Sequence, residues 1–154
     1  MLTLSTVAMA DAFRDRILAI VPTLEPMRQI RWSFTPSQHR QLGARAVLPP
    51  ACRNFDLLFG VGQPDYEWVG GIGTAYALRL AVATSYSGVS HDILSHMITS
   101  DAVDLRRALN DLRDPTLPGL VNVEPAGIAN DAVDSEANIY LEHLFTISYH
   151  QATA

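Results

Sequence analysis

The sequence predicts an α+β fold: a mostly antiparallel sheet with two main helices packed on one of its faces. Three observations predict it. The stretches Thr74 to Tyr86 and Ile139 to Tyr149 alternate with the two-residue period of a strand. The stretches Ala8 to Val21 and Ser90 to Arg113 place apolar residues at three- and four-residue steps, the period of a helix packed along one side. The strand-like stretches follow one another closely, which favours antiparallel hairpins over crossover connections. At 154 residues the chain is long enough for one domain, 1–154, that buries about two-thirds of its unfolded surface.

The first element is a helix with Ala8, Met9, Ala12, Phe13, Ile17, Ile20 and Val21 on its apolar face. Pro22 and Pro26 bracket its end, because proline cannot continue the hydrogen-bond ladder. Ile30, Trp32 and Phe34 then alternate with Arg31 and Ser33 as a short strand would. The segment 36–50 has no period and closes on a double proline, so it is expected to be an extended excursion, long enough to carry a function. Asn54 to Val61 is a second strand, and a polar hairpin through Asp65 to Gly71 leads into the central strand. That strand sets Tyr76, Leu78, Leu80 and Val82 against Ala75, Ala77, Arg79, Ala81 and Ala83. The second helix is expected to cover the sheet through Leu94, Ile98, Ala102, Leu105, Leu109 and Leu112. A short strand, Leu120 to Glu124, and a polar turn region, Pro125 to Ser135, precede the last strand, which sets Ile139, Leu141, Phe145, Ile147 and Tyr149 on one face.

Charge is unevenly spread. All eleven basic residues are arginine, and the net charge is −5. Between Pro26 and Phe55 there is no acid, but there are Arg28, Arg31, Arg40, Arg45 and Arg53. From Asp92 onward ten acids face three arginines. Such polarity fits contact with nucleic acid, the basic part of one subunit meeting the acidic part of the next, or a solvated loop. These five arginines are therefore the candidate subunit or DNA contacts. Charged residues make up only 18 % of the chain, which fits a surface partly covered by another chain. No apolar run reaches the roughly 18 to 20 residues of a membrane span, and no basic region precedes the N-terminal apolar residues, so neither a membrane partner nor a signal peptide is expected. The single cysteine, Cys52, has no internal disulfide partner and fits a reducing compartment.

Chemistry is sparse. The glycines around Gly60-Val61-Gly62 and Gly70-Gly71-Ile72-Gly73 lie between strands, not before a helix, and no lysine completes a phosphate loop. Asp92, His96 and Ser100 recur at four-residue steps, so on a straight helix they point outward in parallel and do not converge as a triad. His91 and His96 diverge around the helix axis and form a poor metal pair. His143, among the apolar residues of the last strand, reads as a hydrogen-bonded core or interface residue. The expectation is no catalytic residue, no cofactor and no metal.

The order of elements nevertheless resembles a known group. A leading helix is followed by strands, by a strand ending in tyrosine (Val82-Ala83-Thr84-Ser85-Tyr86) and by a helix running through Asp101 to Leu112. Leu120-Val121-Asn122-Val123-Glu124-Pro125, a polar turn and the alternating strand Ile139 to Tyr149 complete the pattern. It resembles the tail terminator, or tail-completion, proteins of long-tailed bacteriophages. The resemblance implies a structural virion protein of the tail and neck, assembled in the host cytoplasm. It implies a hexameric ring that caps the tail tube protein, ends tube growth and meets a head-completion or connector protein. In such a ring the arginines face either DNA in the lumen or a neighbouring subunit, and the strong last strand suits an edge that a neighbour covers. Other readings are another neck component (a head-completion or head-tail adaptor protein), a generic non-catalytic interaction domain using the glycine-lined hairpin, and a small enzyme using His91, Asp92 and His96.

Overall fold

The computed structural model describes residues 6–25, 27–37, 42, 46–60, 63–67, 74–111, 117, 119–134 and 137–151. Helix α1 (Thr6–Leu18) leads through a 3-10 turn (Met27–Gln29) to strand β1 (Ser33–Phe34). There follow β2 (Asn54–Phe59), β3 (Gln63–Glu67), β4 (Thr74–Tyr86), α2 (His91–Leu109), β5 (Leu120–Val133) and β6 (Ile139–Gln151). The strands form one sheet in the order β1-β2-β4-β6-β5, with β3 also paired to β4. All pairs but β1 with β2 are antiparallel. The fold is therefore α+β, with a six-stranded, mostly antiparallel sheet.

The long β4–β6 ladder is the frame. It pairs Thr74 with Gln151 at one end and Tyr86 with Ile139 at the other, without a register shift. Directly paired residues in an antiparallel ladder share a face. Leu78, Leu80 and Val82 therefore sit with Ile147, Phe145 and His143, and Phe55 and Leu57 extend the same face across β2. Both helices pack there. Met9, Phe13 and Ile17 of α1 and Leu105 and Leu109 of α2 join these strand residues in the main core. Nearer the start of α2, Leu94 and Met97 pack with Tyr86, Ile139 and Leu141.

The helix stripe is rotated from the expected one. Leu94, Leu105 and Leu109 are buried as expected, but Met97, Asp101 and Asp104 are buried between them, while Ile98 and Ala102 are only half-buried at the flank. Leu112 lies outside the described residues. Ser90 accepts from the amides of Ile93 and Leu94 at 3.1 Å, opening α2 one residue after the expected start. At the other end the Asn110 amide donates to Arg106 O, while Asn110 Oδ1 accepts from the Val123 amide at 3.1 Å, pinning the helix end to β5.

Four expectations are corrected. The strand expected over Ile30 to Phe34 shrinks to two residues and runs parallel to β2. Parallel neighbours need a crossover, and part of 36–50 supplies it on the sheet face away from the helices. There Leu42, Ala46 and Leu48 pack on Leu58, Ala81 and Ala83. The polar hairpin expected through Asp65 to Gly71 begins instead within a strand, Gln63–Glu67, which pairs antiparallel with β4 and continues the side of β4 begun by β2. The glycines at 62 and 70–73 lie outside the described residues. The polar turn expected from Pro125 is the continuation of β5 to Val133, with register shifts after Leu120, Pro125 and Ala129. Bulges and a proline without an amide proton are tolerated on an outer strand, and Gly127 adopts φ 100° at one of the shifts. Finally, β6 is not an edge strand: it lies between β4 and β5, and β5 is the outer strand.

Leu105 and Leu109 are fully buried. Replacing either with alanine should cost ~2–5 kcal/mol. Chemical denaturation checks it, and midpoints unchanged in both variants would show that α2 is not packed on the sheet.

Candidate functional site

The most concentrated polar chemistry lies inside the molecule. Arg53 stands at the turn into β2 with φ 60°, and its side chain is 0 % exposed. Its Nε donates to both oxygens of Asp101, at 3.1 and 3.0 Å, and that carboxylate is also 0 % exposed. Arg53 Nη1 donates to the carbonyls of Met27 and Ile30 at 2.6 and 2.8 Å. From the other side the Tyr86 hydroxyl donates to Asp101 Oδ2 at 3.0 Å and lies 3.1 Å from His143 Nε2. One guanidinium thus joins the 3-10 turn to β2, and one carboxylate joins α2 to the end of β4 and, through Tyr86, to β6.

The hydroxyl proton of Tyr86 is used on Asp101, so its oxygen accepts from His143, which must carry its proton on Nε2. His143 Nδ1 is then a buried acceptor, and among the described residues neither it nor Arg53 Nη2 has a hydrogen-bond partner. Burial pushes the His143 imidazole down to about 4, so it is neutral at pH 7. Burial raises the Asp101 carboxyl against the opposing pull of Arg53, and raises the Tyr86 hydroxyl further, with help from the Asp101 charge. The thiol of half-buried Cys52, beside Arg53, is raised by its own burial. A second buried acid, Asp104, accepts from the Thr23 amide and hydroxyl, both at 3.2 Å. These contacts hold the chain after α1 against α2. Every polar member of the Arg53–Asp101–Tyr86–His143 chain is closed off from solvent, so its chemistry is that of a structural lock.

The five candidate arginines separate. Arg53 is corrected: a fully buried guanidinium reaches neither DNA nor a neighbouring subunit. Arg28 is exposed and pairs with exposed Glu25 at 2.9 Å. Arg31, also exposed, donates from Nε to Ile20 O at 2.9 Å and closes the C-terminal end of α1. Arg16 does the same for α2, donating to Leu109 O at 2.9 Å and Asp111 O at 3.2 Å. Cations at helix C-termini complement the helix dipole. Arg40 and Arg45 lie outside the described residues. His91, Asp92 and His96 are exposed along α2, and Ser100 shares a hydrogen bond with Thr23 at 2.9 Å, so these four do not converge. Among the described residues, no group of three or more potential ligands could hold a metal ion. On the sheet face away from the helices, an open cleft of about 430 Å³ is lined by Leu42, Arg79, Ala129, Glu142, Leu144 and Thr146.

The buried chain was missed in the sequence because its members are far apart. The available signal was the pair Asp101 and Asp104 inside the apolar stripe of α2, where an acid needs a buried partner. No protein-family model matches the chain, and no curated protein matches it in sequence.

The lowered pKa of His143 sets a pH response. Between pH 6.5 and about 4 the unfolded chain takes up a proton that the folded protein excludes. Stability contributed by the neutral imidazole should therefore fall as pH drops through that window, by at most about 3 kcal/mol. Asp101, whose pKa is raised, acts in the opposite direction. Comparing wild type with His143→Gln in denaturant at each pH isolates the histidine. The variant should lose this part of the pH dependence, and identical profiles would contradict the assignment.

Proposed function

We propose that the chain is a non-catalytic, structural virion subunit: a ring-forming tail terminator that caps the tail tube and joins it to the head connector. The observation that carries this reading is the outer edge of the sheet. Among the described residues no strand pairs with the outer side of β5, which is 14 residues long. Its second half exposes Ile128 and Val133, at 48 % and 60 %. A long edge with apolar side chains is a surface that proteins normally cover, and a second copy of the same chain is the simplest cover. The order of elements that resembles tail terminators supports the specific identity. In a head-to-tail ring the same edge recurs on every subunit, and the tube and connector would meet the two flat sides of the ring.

Contact between the exposed arginines and DNA in the lumen belongs to the same reading. Arg28 and Arg31 remain accessible for it, with a neutralising Glu25 beside the first. Such contact would be weak and blind to sequence.

The purified protein should run as an assembly of about six copies by light scattering, and negatively stained particles should be rings. Added to a tail-tube preparation, it should stop tube growth. A protein that stays monomeric at high concentration and leaves growth unchanged would favour a neck adaptor or a generic interaction domain.

A further inference from the structure

Many charges of the chain are already used internally: Arg53 by Asp101, Arg16 and Arg31 by helix C-termini, and Arg14 by Asp11 and Asp15. Among the described residues, two patches carry unpartnered charge beside a large exposed apolar side chain. The first is the outer side of α2 near its C-terminal end, where Arg106 and Arg107 flank Val103, which is 45 % exposed. Neither arginine has an acidic partner within salt-bridge distance among the described residues. The second is the far half of β5. There Asp131, exposed in the bulge between Ala129 and Ala132, stands between Ile128 and Val133. Asp131 likewise has no basic partner among the described residues.

The patches are complementary in both respects: base against acid, and apolar surface against apolar surface. They also lie at opposite ends of the molecule's α2–β5 flank. Val133 pairs with Ile139 beside Tyr86, where the chain turns into α2, whereas Asn110, after Arg106 and Arg107, is bonded to Val123 near the start of β5. One copy therefore cannot satisfy its own pair. A second copy can, by setting the end of its α2 against the far half of the first copy's β5. Such a contact is heterologous, and repetition around an axis closes a ring.

We infer that the surface formed by Val103, Arg106 and Arg107 docks on the surface formed by Ile128, Asp131 and Val133 of a second copy of this chain. The inference rests on the ring reading and names the contact that makes the ring. Bulges break the regular run of β5 along its pairing with β6, and Pro125 lacks an amide proton, so side chains, rather than a continuous run of backbone hydrogen bonds, set the register of this contact. Opposite charges then choose the partner surface, and the apolar groups are buried between them.

Charge reversal tests it. The variants Arg106→Glu/Arg107→Glu and Asp131→Arg should each shift the assembly to monomer in light scattering at low salt, where repulsion is least screened. The variant carrying all three reversals should assemble again, and so should an equimolar mixture of the two parent variants. Far-ultraviolet circular dichroism of each variant should match wild type, since all three side chains are exposed. If wild type assembles and the reversals assemble equally well, the docking surface is wrong while the ring reading stands. If the reversals dissociate and neither the triple variant nor the mixture recovers, the pairing of these two patches is wrong. A monomeric wild type removes the ring itself.

Discussion

The rest of the structure depends on the buried ion pair between Arg53 and Asp101. Neither side chain has any exposed surface. Taking two charges out of water is expensive, and their attraction offsets that cost only with good geometry and further hydrogen bonds, of which Arg53 Nη2 makes none among the described residues. Here Asp101 receives Arg53 Nε and the Tyr86 hydroxyl, and Arg53 also serves the carbonyls of Met27 and Ile30. The pair bridges 48 positions of sequence and reaches five elements of the fold. It holds the 3-10 turn on β2, β2 under α2, and α2 over the ends of β4 and β6. An apolar pair of the same volume would avoid the desolvation cost, so the weight of this pair lies in the cost of breaking it: either partner alone would be left as a buried, unpaired charge. The left-handed backbone at Arg53, at φ 60°, is an added cost that the five-way junction holds in place.

The same accounting changes the meaning of the charge polarity in the sequence. Part of the charge in the arginine-rich N-terminal portion is already engaged within the subunit. Arg16 and Arg31 neutralise carbonyls left open at the ends of the two helices, and Arg53 is taken inside by an acid of the C-terminal portion. A pairing of the basic and acidic segments, expected between subunits, is thus found within the subunit. Among the described residues, Arg106 and Arg107 on a helix and Asp131 on the outer strand are exposed charges without an ion-pair partner. These three residues lie within the portion of the chain that carries its excess of acids.

The frame of the fold was legible because period-two alternation in β4 and β6 is unbroken, and a one-residue slip would turn every apolar side chain outward. The packing face of α2 was legible only in part. Leucines marked Leu94, Leu105 and Leu109, but the true centre of the stripe holds Asp101 and Asp104, which hydrophobic periodicity counts as solvent-facing. Strand β5 was cut short at Glu124 because Pro125, Gly127, Asn130 and Asp131 are turn formers, and only the position of β5 at the outside of the sheet makes them compatible with a strand. The length of the excursion is legible in the sequence but its cause is not: a parallel β1–β2 pair is a tertiary fact, invisible in two residues of strand. The buried polar chain was least legible of all, since no local pattern relates Arg53 to an acid so distant in the chain.

A double-mutant cycle on Arg53 and Asp101 tests the central claim most directly. Arg53→Met and Asp101→Leu each leave one buried charge without its partner, so each should cost about 3–5 kcal/mol in denaturant unfolding. The double variant should cost well under the sum of the two, with a coupling above about 1 kcal/mol. Single variants that each cost less than about 1 kcal/mol, with additive effects, would contradict the account, because the two side chains would then be neither buried together nor holding the elements of the fold in register.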